Sequence, residues 1–144
     1  MENIELVANI LDNFFYGVSI FDLWRCCTNQ MLWEAIKQAD AQIIAQENIG
    51  AFLLQQRAFF LLPEPLPAII SLNSFEYVYI DLAKDEFDIH ELFKQEPMYI
   101  VDGEFKWMIV LTTENTQSGT QLCVLVHSKS NLLSTGRFTS SPFI

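Results

Sequence analysis

The sequence predicts an α+β fold: a helical layer of roughly three or four helices packed on a mainly antiparallel sheet of about four to five strands. Three observations lead there. Apolar residues recur at helical spacing up to about residue 62. The alternating prolines Pro63, Pro65 and Pro67 then interrupt the chain, because they fix an extended backbone and supply no amide donors. Beyond them come runs rich in aromatic and β-branched residues, with Asp102-Gly103, a strong hairpin signal, between two of them.

The expected organisation is a single domain, 1–144, since a chain of 144 residues can bury roughly two thirds of its unfolded surface without metal or disulfide. Within it, 1–62 reads as mostly helical, 68–128 as sheet with one short helix near 86–95, and 129–144 as a loop-rich tail. From Asn3 to Tyr16, Ile4, Val7, Ala8, Leu11, Phe14 and Phe15 form the apolar stripe of a first helix, with Gly17 at its C-terminal cap. Ser19 and Asp22 resemble a capping box for a short second helix ending near Cys27. Thr28 or Asn29 caps a third, running to about Asn48 on the stripe Leu32, Ile36, Ala39 and Ile43 and stopped by Gly50. Ala51 to Leu62 suits a helix or two strands; with only Gln55-Gln56 as a weak turn, a fourth helix is slightly preferred.

Phe75 to Leu82 predicts a strand with Phe75, Tyr77 and Tyr79 on one face and Val78, Ile80 and Leu82 on the other. Asp85 or Asp88 caps the short helix that follows, which Pro97 ends. Then come strand Met98 to Val101, the two-residue turn, and strand Glu104 to Thr113. After a polar loop, Gln121 to Ser128 forms the last strand. On the long strand Phe105, Trp107, Ile109 and Leu111 share one face; Lys106, Met108, Val110 and Thr112 share the other.

Net charge is −10, and nine of the 18 acids fall between Glu76 and Glu104 against Lys84 and Lys94 alone, so that segment carries −7. Such a field repels nucleic acid and anionic membranes and attracts a basic protein; a solvated face kept for solubility is the bland alternative. The aromatics Tyr77, Tyr79, Tyr99, Phe105 and Trp107 are interleaved with acids rather than bases, the wrong sign for stacking single-stranded nucleic acid. Carboxylates on a rigid scaffold can instead imitate phosphates and enter a basic cleft.

Nothing carries catalysis. There is no Gly-x-Ser-x-Gly, no glycine-rich phosphate loop, and only His90 and His127 as histidines, so the chain reads as a non-enzyme without cofactor. Asp85, Asp88, His90 and Glu91 could in principle ligate a divalent metal. They lack the order of a calcium loop and the spacing of a zinc helix, so no metal site is expected. The cysteines are odd in number, and adjacent Cys26 and Cys27 bridge poorly, which suggests reduced thiols. Glu2 and Glu5 stand where a signal peptide is positive, and no apolar run spans a bilayer. A cytoplasmic protein is expected.

The order of strand, acidic turn, Asp-Ile-His-Glu-Leu-Phe (Asp88 to Phe93), then Met98-Tyr99-Ile100-Val101-Asp102-Gly103-Glu104-Phe105-Lys106-Trp107 resembles small immunity proteins of bacterial polymorphic and contact-dependent growth inhibition toxin systems. The resemblance covers about Phe75 to His127. It implies a non-catalytic cytosolic protein that binds a cognate toxin domain and blocks it. No binding residue carries over by motif. Charge alone selects Asp81, Asp85, Glu86, Asp88, Glu91, Glu96, Asp102 and Glu104 as the surface for a basic toxin domain such as a nuclease, with Tyr99 or Phe87 as aromatic anchors. The alternative is a dimeric ligand-sensing or adaptor domain that uses the surplus apolar surface for a homodimer and holds a small ligand between helices and sheet.

Overall fold

The computed structural model describes residues 2–15, 32–36, 41–65, 76–88 and 97–128. Among these, two α-helices, α1 (Asn3–Phe14) and α2 (Gln46–Leu54), and a 3-10 turn (Leu32–Ala35) accompany six strands. The strands are β1 (Ala41–Ile43), β2 (Ala58–Leu62), β3 (Val78–Asp81), β4 (Met98–Asp102), β5 (Trp107–Asn115) and β6 (Gln121–His127). They form one antiparallel sheet in the order β1-β6-β5-β4-β2-β3. The chain is α+β in the broad sense. The layer of three or four helices over four to five strands is not what the described residues form, because two segments assigned to helices contribute strands to the sheet.

The first of these segments is the expected third helix. Its stripe Leu32, Ile36, Ala39 and Ile43 obeys a helical period, yet Ala41 to Ile43 pair with Val126, Leu125 and Val124, and Ile44 N–H continues the ladder to the Cys123 carbonyl at 3.0 Å. Pairing along β6 satisfies donors and acceptors that an edge would leave open, and it overrides a period supported by few residues. Leu32 to Ala35 make a single 3-10 turn.

The second is Ala51 to Leu62, which divides at its weak turn. Helix α2 runs through Gly50 to Leu54, Gln55 and Gln56 bend the chain, and Ala58 to Leu62 become a central strand. β2 lies between β4 and β3 with Phe59 and Phe60 on opposite faces, both buried. That environment suits an unbroken apolar run without alternation.

Both faces of the sheet are covered. On one face Leu6, Ile10 and Phe14 of α1 and the following Phe15, with Leu32, pack on Phe60, Leu62, Tyr99, Val101, Met108, Val110, Val124 and Val126. On the other, Ile49 and Leu53 of α2 pack with Phe59, Ile100, Trp107, Ile109, Leu111, Cys123 and Leu125. The buried stripe of α1 is therefore Leu6, Ile10 and Phe14, while Ile4 is 73% exposed and Ala8 also faces outward. Two apolar stripes were available on this helix, and contact with the sheet selected the one spaced by four residues.

The hairpin of β4 and β5 also differs from expectation. Val101 pairs with Met108, so the connection comprises Gly103 to Lys106 rather than two residues. The left-handed position is held by Phe105 (φ 58°), not by Gly103. Gly103 is favoured by proximity, since a Cβ there would lie a tight 3.2 Å from the Ala58 carbonyl oxygen. Because the loop breaks the alternation, Phe105 leaves the Trp107, Ile109, Leu111 face and stacks on Phe60, with ring centroids 5.8 Å apart. No helix forms at Asp85 to Asp88, which are irregular. The second helix, Gly17, the remainder of the expected 86–95 helix and the 129–144 tail lie outside the described residues.

Tyr99 is the largest fully buried side chain of this core. Its hydroxyl donates to Glu64 Oε1 at 2.7 Å and accepts the Trp33 N–H at 2.9 Å, while the Glu64 carboxylate also accepts the Leu32 N–H at 3.1 and 3.2 Å. Burial and the neighbouring Glu64 charge hold the phenol well above the usual tyrosine range, so it remains a donor. Tyr99→Phe removes a hydrogen bond to a carboxylate and strands the Trp33 N–H. It is expected to lower stability by about 2–3 kcal/mol in urea unfolding; a loss under about 0.5 kcal/mol would mean that the hydroxyl is not an anchor.

Candidate functional site

The acids separated in sequence meet at one end of the sheet, and the register of β2 brings them there. Ala58 pairs with Asp81 on one side, and its neighbour Phe59 pairs with Asp102 on the other. Asp81 and Asp102 thus lie two strand spacings apart, about 10 Å. The Gly103 N–H bonds to the Ala58 carbonyl at 3.0 Å, which ties the β4–β5 loop to the start of β2.

The chain leaving β3 turns tightly here. The Asp81 carbonyl accepts the Lys84 and Asp85 N–H groups at 2.9 and 2.8 Å, Asp81 Oδ1 accepts Ala83 N–H at 3.0 Å, and Asp85 Oδ2 accepts Asp81 N–H at 2.9 Å. Asp85, expected to cap a helix, instead closes this turn. Asp85, Glu86 and Asp88 are exposed, and between them Phe87 turns inward against Phe59, centroids 5.2 Å apart. Phe87 is thereby tied into the core packing.

In the adjoining loop Glu104 is exposed and pairs with Lys106 at 3.0 Å. Glu104 holds the Lys106 ammonium above the usual lysine range. An ion pair this exposed contributes little to stability. Asp102 differs from the other acids: it is 8% exposed, and its Oδ2 accepts the Lys106 N–H at 3.0 Å. Burial raises its pKa, partly offset by hydrogen bonds from the loop's backbone. It organises the loop rather than facing a partner.

Of the residues selected by charge, Asp81, Asp85, Glu86, Asp88 and Glu104 are brought together, with Arg57, Lys84 and Lys106 as the nearby bases in sequence and fold. Glu91 and Glu96 lie outside the described residues. Tyr99 is a correction: at 0% exposure it cannot anchor a partner, because β4 is central and covered on both faces. Among the described residues, the aromatic that this end presents is Tyr79, 48% exposed on β3, the outermost strand there, beside Val78 at 54%. The Tyr79 ring rests on Phe60, centroids 4.8 Å apart, and its hydroxyl lies over Gly103. Sequence alternation placed Tyr79 on the right face of its strand, but whether that strand is an edge depends on the sheet order.

Among the described residues no group of three or more His, Cys, Asp or Glu side chains is placed to hold a metal ion; His90 and Glu91 lie outside them. Cys26 and Cys27 also lie outside. Cys123 is a free, buried thiol that burial pushes up to about 11. No described helix is long and apolar enough to cross a membrane. No protein-family model matches the chain, and neither a curated protein nor a solved structure matches it.

Asp102 yields a pH prediction with a definite sign. Its folded pKa is raised, so the native state binds the proton more tightly than the unfolded chain. Its contribution to stability is fully present below the ordinary carboxylate pKa of about 3.9 and is lost as pH rises through the raised value. Asp102→Asn keeps an oxygen for the Lys106 N–H and removes the buried charge. Thermal melts should show the variant at least as stable as the native protein at pH 7, with its relative advantage shrinking towards pH 3. A variant less stable at pH 7 would mean that the charge itself is required by the loop.

Proposed function

We propose that this chain is a non-catalytic binding domain that captures a basic protein at the acidic end of its sheet, as an immunity-type inhibitor captures its toxin domain. The observation that carries this reading is the convergence of Asp81, Asp85, Glu86 and Asp88 with Glu104 around the start of β2, next to the half-exposed ring of Tyr79. The acids supply a long-range field that accelerates encounter, and Tyr79 supplies rigid contact area that slows dissociation. The turn that carries the acids is closed by its own side chains, so little ordering is required on binding.

The test pairs the protein with the product of the neighbouring reading frame. Co-expression should restore growth, and the purified pair should form a complex. Replacing Asp85, Glu86, Asp88 and Glu104 with Ser is expected to slow association about tenfold at low salt, with the difference closing as ionic strength rises. Tyr79→Ala should leave association nearly unchanged and raise the dissociation rate about thirtyfold, the effect of a typical hot spot. Absence of a complex overturns the reading; a complex indifferent to these changes moves the interface off this end of the sheet.

A further inference from the structure

At the end of the sheet away from the acids, β1 is the outermost strand among the described residues, and its ladder with β6 fixes which way its backbone groups point. Ile44 donates its N–H to the Cys123 carbonyl at 3.0 Å, so Ile44 and, by alternation, Gln42 direct their N–H and C=O groups towards β6. Ala41 and Ile43 direct theirs away from the sheet. Among the described residues these outward groups have no partner. Ile43 is 67% exposed and Gln42 is exposed too, so this side of the strand is accessible.

The outermost strand at the acidic end is built differently. There the Leu82 N–H bonds to the Arg57 carbonyl at 3.0 Å, and the same alternation points the Asp81 backbone groups outward. Asp85 Oδ2 takes the Asp81 N–H, while the Lys84 and Asp85 N–H groups take its carbonyl. The turn thus plugs its own edge, and the surrounding acids repel a second acidic chain. Ala41 to Ile44 carry no charge. Of the described residues lining the surface groove beside β1 only Glu34 is charged, and it is exposed.

The outward groups of β1 are also self-complementary. With a two-fold axis at Gln42, an antiparallel second copy sets Ala41 of each chain opposite Ile43 of the other, and each such pair exchanges two hydrogen bonds. Ala41 and Ile43 lie opposite Val126 and Val124, on the face that α1 covers, so the branched side chain of one copy lies beside the small one of the other.

We propose that β1 is a self-association edge: two copies of the chain pair antiparallel through Ala41 to Ile43 about a two-fold axis at Gln42, joining their sheets into one. The contact leaves both acidic ends free and is independent of the function proposed for them.

Sedimentation equilibrium of the full chain should show a monomer passing to a dimer with a dissociation constant of about 100 µM, as suits a small interface. Ile43→Pro removes one outward donor from each copy and should weaken the dimer about thirtyfold. Ile43→Lys, at an exposed position, brings like charges to the pairing and should abolish it. Circular dichroism reports that each variant is folded. In the native protein, amide exchange followed by NMR at Ala41 and Ile43 should slow about fourfold between ~20 µM and ~1 mM, while the Tyr79 amide on β3 exchanges at an unchanged rate. This readout stands even where a variant fails to fold. A monomer at ~1 mM, a dimer whose Ala41 and Ile43 amides exchange as before, or a dimer indifferent to both substitutions would each overturn the proposal.

Discussion

A phenol hydroxyl in the middle of an apolar sheet needs partners, and those that Tyr99 finds bind together segments far apart in the chain. Its donor goes to Glu64, in the proline-bounded connector after β2, and its acceptor takes the N–H of Trp33 in the 3-10 turn. Glu64 closes the arrangement by accepting the Leu32 N–H. Glu64 is only half-buried, but the Tyr99 hydroxyl it satisfies is fully buried and costly to leave unpaired, so connector, turn and central strand are held to one another. Leu32, fully buried, joins the α1 face of the core from this anchored position.

The second constraint is burial on both sides of the sheet. Antiparallel sheets commonly leave one face to water. Here α1 covers one face and α2 the other, and β4 together with the first six residues of β5 is buried throughout. Polar groups admitted to this interior are paired: Thr112 Oγ1 bonds to the Leu122 carbonyl at 2.8 Å, and Trp107 Nε1 to Gln56. Against that background the Trp33 indole Nε1, buried without a hydrogen-bond partner, stands out.

At the acidic end, local chemistry and global register act together. Gly103 permits close approach to Ala58, Phe105 accepts a left-handed backbone and regains contact by stacking on Phe60, and buried Asp102 bonds the Lys106 N–H to complete the loop. A bulky residue at positive φ is uncommon and carries a cost of about 1–2 kcal/mol. The neighbouring contacts hold it there.

Much was legible in the residues themselves: a helix starting at Asn3, expected to Tyr16 and found to Phe14; strands expected at Phe75 to Leu82, Met98 to Val101 and Gln121 to Ser128 and found at Val78 to Asp81, Met98 to Asp102 and Gln121 to His127; and the division of Tyr77 and Tyr79 from Ile80 and Leu82. These depend on local periodicity, which a linear chain states directly. Ala41 to Ile43 and Ala58 to Leu62 were not legible as strands, since their conformation is decided by partners more than 80 or about 40 positions away. For the same reason Tyr99 could be known as aromatic but not as interior, Tyr79 as one face of a strand but not as an edge, and Glu64 as part of a proline connector but not as the partner of a buried phenol. The sequence by itself determined the charge, its concentration between Glu76 and Glu104, and the α+β class. Only the tertiary structure decided which acids share a surface and which strands lie outermost among the described residues, because strand order and register are properties of pairing between distant segments.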